Sequence, residues 1–256
     1  MRKRPSRMWI TRLPLLILAI YALPAVIPAQ QPAQQPAPRP PDQEIIARID
    51  AAVQQRSDNL AGYTVQESYS IYRNGEDSPS AEETVQTTYT HAAGKEFTPI
   101  SHAGSSMLRS AIIAKVLAGE KEMSLTANRP GVLVTSANYD MHPQSGAVDL
   151  NGHKCIVVDL TPRRKSQHLF VGKEWVDAAD FTVIRLAGVP SESPSFFAGE
   201  TIVTRDYEKV DGFPMATHAE ARSHSFLLGD TVMKIDYTGY KIDRVPAPTA
   251  ASPSSR

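Results

Sequence analysis

The chain has 256 residues, with 27 Lys+Arg and 27 Asp+Glu, so as a whole it carries no net charge. Five of those bases and none of the acids lie in residues 1–29, so the remainder holds 22 bases against 27 acids, a net charge of −5. That sign argues against non-specific nucleic-acid binding, which needs a basic surface. The single cysteine, Cys155, excludes an internal disulfide and leaves the fold to its apolar core.

Arg2, Lys3, Arg4, Arg7 and Arg12 precede an apolar stretch over residues 13–27, and Ala29 is a small residue at a cleavage point. This is the pattern of a secretory signal peptide over residues 1–29. A retained membrane anchor is the competing reading. The stretch is short of the about 20 apolar residues a span needs, and Pro14 and Pro24 interrupt it. No cysteine stands near the cut, so lipid attachment there is not expected. Residues 30–41 are Gln, Pro and Ala with one Arg, a composition that makes an extended linker. Residues 245–256 are rich in Pro, Ala and Ser and read as a disordered tail. One domain is expected between them, over residues 42–244.

The domain opens with a helix. Asp42 is placed to cap it and Glu44 lies in the first turn. Ile45, Ile49 and Val53, with Ile46 beside them, form one apolar stripe, which ends near Asn59 and Leu60. Residues 63–73 alternate, with Tyr63, Val65, Tyr69 and Ile71 on one face, as in a half-buried strand. Asn74–Gly75 turns the chain, and residues 84–91 return with Val85 and Tyr89 facing inward. Ser105 or Ser106 caps a second helix, whose apolar face is Leu108, Ile112, Ile113, Val116 and Leu117 and whose end is expected at Gly119. Strands are predicted over 131–137, 147–150 and 154–160, the last two joined by Asn151–Gly152, a strong hairpin signal. From Leu169 to Asp243 the chain reads as one antiparallel meander, turning at Asp177–Asp180, Asp211–Gly212 and Leu228–Gly229–Asp230. The order predicts an α+β fold: an antiparallel sheet long enough to curl, with helices gathered on one face.

Four segments carry a family resemblance: Gly172-Lys-Glu-Trp-Val-Asp177; Asp180-Phe-Thr-Val-Ile-Arg185; Arg205-Asp-Tyr-Glu-Lys-Val-Asp-Gly-Phe-Pro214; and Ile235-Asp-Tyr-Thr-Gly-Tyr-Lys-Ile-Asp243. With the N-terminal helix and first hairpin, they resemble the outer-membrane lipoprotein-sorting (LolA-like) group of periplasmic proteins. The resemblance implies an incomplete β-barrel, with helices covering its open concave face and a hydrophobic cavity for acyl chains. It also implies a carrier or lipid-responsive sensor rather than an enzyme.

The residues offer little catalytic chemistry. The seven histidines, at 91, 102, 142, 153, 168, 218 and 224, form no H-E-x-x-H pattern or i, i+4 pair, so metal ligation has weak support. There is no G-x-S-x-G, and Gly104-Ser-Ser106 suits a helix cap better than a nucleophile. Asp177 and Asp180 could serve as a hydrolytic pair, but aspartates at a tight turn more often bond their own backbone. Arg163-Arg-Lys165 could meet an anionic lipid, though such a run is more often a solvated loop. His218, Glu220, Arg222 and His224 share strand parity and read as a solvated polar face.

The expected function is periplasmic binding and transfer of a lipid or lipoprotein acyl chain, without a cofactor and with a membrane-bound donor or acceptor protein as partner. Cavity-lining candidates are Tyr69, Ile71, Tyr89, Ile112, Val116, Trp175, Phe181 and Val183, with the loop aromatics Phe196 and Phe197 at a rim or lid. Trp175 is assigned to the cavity because it shares parity with Leu169 and Val171. The same residues would also suit an ordinary packed core. The alternative function is an envelope interaction or sensor module without cargo; an envelope hydrolase ranks third.

Overall fold

The computed structural model describes residues 39–192, 201–225 and 229–246. The signal-peptide reading and the Phe196–Phe197 pair therefore lie outside the described residues. Helix α1, Asp42–Asn59, begins after Pro41, which occupies the cap position without a side-chain bond; Asp42 is the first helical residue rather than the cap. Proline suits that place because its missing N–H would have had no helical partner. Ile45 and Ile49 are buried, while Ile46 and Val53 are half-buried at the edge of the same stripe.

Three antiparallel strands follow: β1 (Leu60–Arg73), β2 (Ala81–Thr90) and β3 (Gly94–Gly104). The expected β1–β2 alternation holds, with Val85 fully buried and Tyr89 nearly so. Asn74 and Gly75 turn between them with φ of +50° and +76°. Helix α2 (Ser106–Leu108) then leads through a π-helical turn (Arg109–Ile113) into α3 (Ala114–Ser124). Ser105 caps it, its hydroxyl accepting from the Leu108 N–H at 3.3 Å. The helix passes Gly119 instead of ending there. An interior glycine costs about 1 kcal/mol, and the extra turn carries Glu120, which forms buried ion pairs with Lys95 and Arg205.

The strand expected at 131–137 is absent; the chain there makes a 3₁₀ turn over Arg129–Val132 and a series of bends. Its backbone is satisfied locally: Gly131 N–H donates to Asn128 O at 3.0 Å, and the Asn138 amide donates to Pro130 O and Leu133 O at 2.8 and 2.9 Å. With its carbonyls engaged by Asn138 and Pro130 lacking a donor, the β-branched run has no ladder to join. Among the described residues eight strands follow: β4 (Tyr139–Pro143), β5 (Val148–Leu150), β6 (His153–Pro162), β7 (Phe170–Asp177), β8 (Val183–Pro190), β9 (Thr201–Val210), β10 (Phe213–Ser225) and β11 (Gly229–Arg244). Asn151–Gly152 and Asp211–Gly212 turn as predicted, all four residues with positive φ.

The eleven strands form one open antiparallel sheet in the order β3-β2-β1-β11-β10-β9-β8-β7-β6-β4, with β5 also paired to β6. The first strand thus pairs with the last, and β3 and β4 end the path. Two buried apolar clusters lie on its inner face. One joins β1, β2, β10 and β11 to Leu108, Ile112 and Ile113. The other joins Ile45 and Ile49 of α1 to Tyr139, Ile156, Val158, Leu160 and Val176. The outer face is polar along β10: His218 pairs with Asp236 at 2.8 Å, and His224 with Asp230 at 2.6 Å.

Candidate functional site

A cavity of about 400 Å³ is lined by members of both apolar clusters. Its wall takes residues from α1 (Ile49, Ala52, Val53), from the bent segment that replaced the expected strand (Val132, Leu133, Val134) and from the inner face of β7 to β11. Gly188 of β8 belongs to the wall and adds no side chain to it. Gly172 and Gly188 are register partners on β7 and β8, and a Cβ on Gly172 would stand 2.1 Å from the Ala187 carbonyl oxygen. Only glycine permits that backbone approach, and it leaves no side chain projecting from the pair.

The sequence-predicted residues divide. Tyr89, Phe181 and Val183 line the cavity. Tyr69, Ile71 and Ile112 belong to the packed first cluster, with Val116 half-buried against it, and none of the four lines the cavity. Phe181 is not a strand residue. It closes the β7–β8 turn with φ of +62°, its N–H donating to Asp177 O at 2.8 Å, and the Arg48 guanidinium lies 5.2 Å from its ring centre. A phenylalanine in that backbone region is uncommon. Asp177 and Asp180 do bond their own turn, accepting from Ala179 N–H at 2.7 Å and Thr182 N–H at 3.2 Å.

Trp175 does not line the cavity; Phe170 and Glu174, of opposite parity, do. Leu169 is buried but precedes β7, which begins at Phe170, so its burial does not set the strand's phase. Val171, the true strand neighbour of that parity, is exposed. Trp175 therefore lies on the outer face, across from Val157.

A buried ionic cluster, not anticipated from sequence, forms one part of the cavity wall. Glu120 of α3 pairs with Lys95 of β3 and accepts from Arg205 of β9 at 2.8 Å. Glu67 of β1 is fully buried 3.8 Å from Lys95, and the Tyr69 hydroxyl donates to it at 2.5 Å. Burial alone would raise the Glu120 carboxyl, but Lys95 and Arg205 outweigh it and hold the group at about 2. Burial likewise opposes the charge on Lys95, and Glu120 overrides it, pushing the amine well above its ordinary range. Tyr63 stacks on Tyr89 with ring centres 5.0 Å apart, and Arg129 lies over Tyr89 at 5.3 Å. Glu67 lay within the visible alternation of β1, but its partners come from distant elements that periodicity does not connect.

Glu174 is a further buried carboxyl, outside that cluster. It is 3 % exposed, and its Oε2 has no hydrogen-bond partner. Burial first, and the charge of Asp50 second, raise it to about 8. Asp50 is itself held by Ser136, accepting from its N–H at 2.9 Å and its hydroxyl at 2.5 Å. Among the described residues no three His, Cys, Asp or Glu side chains gather as a metal site, and no helix is long and apolar enough to cross a membrane.

No family model matches the sequence, and no curated protein matches it. Solved structures do resemble it. A DUF1329 family protein from Desulfovibrio piger is 16 % identical, with a TM-score of 0.40 over 78 % of this chain and 93 % of that one. A domain assigned to outer-membrane lipoprotein sorting, from Vibrio parahaemolyticus, is 12 % identical, with a TM-score of 0.47 over 78 % and 92 %. A LolA superfamily protein from Nitrosomonas europaea is 12 % identical, with a TM-score of 0.38 over 80 % and 94 %.

Proposed function

We propose that this chain is an exported, periplasmic carrier that binds an acyl chain of a lipid or lipoprotein in its inner-face cavity, and that it is not an enzyme. The observation that carries the reading is the hollow of about 400 Å³ between the two core clusters. That volume lies within the roughly 300–1,000 Å³ of small-molecule sites, and the apolar part of its wall needs no specific polar partner to hold a hydrocarbon. Each methylene moved from water contributes about 0.8 kcal/mol, so about ten contribute about 8 kcal/mol, within the roughly 4–15 kcal/mol range of association costs. In this reading α1 and the second helix cover a concave face of an incomplete barrel. A membrane-bound donor or acceptor releases the chain by moving a helix or opening the sheet edge.

Native mass spectrometry of protein purified from membrane extracts tests the proposal. Co-purifying lipid supports a carrier; a chain that stays free of lipid in every extract favours the interaction or sensor module. That second reading draws on the ionic cluster, which makes part of the cavity wall polar. Export is tested separately: N-terminal sequencing of the exported protein is expected to begin near Gln30.

A further inference from the structure

Glu174 has no role in holding the fold that its surroundings explain. It stands on the inner face between Val158 and Leu186, its register partners on β6 and β8. The next residue along that row is Arg205 on β9, but Leu186 intervenes, which puts the two backbones roughly 9–10 Å apart at ordinary strand spacing. Arg205 is already engaged by Glu120. Among the described residues Glu174 forms no ion pair, and its Oε2 is buried without a partner. An unmet buried polar atom is costly in a folded protein, and this one belongs to a side chain that lines the hollow.

We propose that the Glu174 carboxyl is the polar anchor of the cavity, donating a hydrogen bond to the carbonyl oxygen of an ester- or amide-linked acyl chain. The inference rests on the acyl-chain reading above and adds to it the linkage that the site recognises. Because burial and Asp50 hold the group protonated near neutral pH, it can donate. The carboxyl torsion of glutamate is broad, so the hydroxyl can turn toward the hollow. A carbonyl is an acceptor without a proton of its own and carries no charge to desolvate. It fits a neutral carboxyl better than an ammonium or phosphate group does.

The test compares palmitoyl lysophosphatidylcholine with its ether-linked analogue, which lacks only the carbonyl, by titration against the full-length protein. The native chain is expected to bind the ester about tenfold or more tightly than the ether, the effect of one buried hydrogen bond. Glu174→Gln keeps a donor and is expected to retain the preference; Glu174→Leu is expected to reduce the ratio to about one. Equal binding of ester and ether by the native protein overturns the inference, as does an undiminished preference in Glu174→Leu. Should the leucine variant fail to fold, Glu174→Met carries the same comparison. Binding of neither lipid by any variant overturns the acyl-chain reading itself. N-palmitoylglycinamide separates the sources: tighter binding than the lysophospholipid assigns the carbonyl to an amide-linked chain, weaker binding to a glycerolipid ester, and either supports the anchor.

Discussion

Trp175 stands directly across β7 and β8 from Arg185, in a row of register partners that continues through Asp206 and His218 to Asp236. Arg185 donates to both carboxylate oxygens of Asp206, and His218 meets Asp236, so the row is a polar outer surface that carries the indole, with Val157 as its register partner on β6. In protein beginning at Gln30, from which Trp9 is absent, Trp175 is the only tryptophan. Its emission is expected to stay unchanged through a lipid titration. Phe170→Trp in a Trp175→Phe background puts the reporter on the cavity wall, and its spectrum is expected to shift saturably. A native emission that tracks ligand would place the indole at the cavity after all.

Two of the buried carboxyls, Glu174 and Glu120, predict opposite pH effects. Glu174 has an ordinary value of 4.5 and a folded value of about 8. Between those limits the folded state binds more protons than the unfolded one, so stability falls as pH rises through this window and levels off above it. The slope approaches about 1.4 kcal/mol per unit, and the whole effect amounts to a few kcal/mol. Glu174→Gln is expected to remove that slope from urea-unfolding free energies measured between pH 5 and 8. Glu174→Leu is expected to remove it as well and to raise stability at pH 8, since it replaces an unpaired buried acid by an apolar side chain of similar size.

Much of the frame was legible. The apolar stripe of α1, the alternation of β1 and the three hairpin turns bearing Asn-Gly or Asp-Gly are local signals, each set by backbone geometry within a few residues. The site was less so. Glu174 stood in plain alternation with Phe170, but the apolar side chains of Leu169 and Val171 suggested the opposite phase; Leu169 is buried just outside the strand and Val171 is exposed within it. Lys95, Glu120 and Arg205 meet from three separate elements, and Glu120 was hidden further by Gly119, which reads as a helix end. The run Val132–Val134 had strand composition but sits in bends whose carbonyls Asn138 occupies, a constraint invisible to periodicity.

Glu120 should govern the acid limb. Its folded value of about 2 lies below the ordinary 4.5, so the unfolded state binds more protons between those values. Its contribution is complete above about pH 4.5 and is lost as pH falls toward 2. Glu120→Gln leaves Lys95 and Arg205 without their shared carboxylate in a largely buried setting. A loss of about 3 kcal/mol or more at pH 7 is expected, by the precedent for breaking one side of a buried ion pair. The variant should also show a flatter stability profile from pH 4.5 to 2 than the native protein. A loss within about 0.5 kcal/mol would mean that water, not Glu120, balances the two cations.

Ile112 and Ala52 separate core from cavity. Ile112 is 1 % exposed in the first apolar cluster and does not line the hollow. Ile112→Asp buries an unpaired charge, and a stability loss of more than 4 kcal/mol is expected, with unchanged lipid affinity in whatever fraction remains folded. Ala52 is half-buried on α1 and lines the cavity. Ala52→Phe puts a ring into the hollow without removing a packed group. Its melting temperature is expected to hold or rise, while affinity for palmitoyl lysophosphatidylcholine falls by tenfold or more. The opposite pattern, affinity lost through Ile112 and kept through Ala52→Phe, would move the ligand out of this cavity and under the second helix.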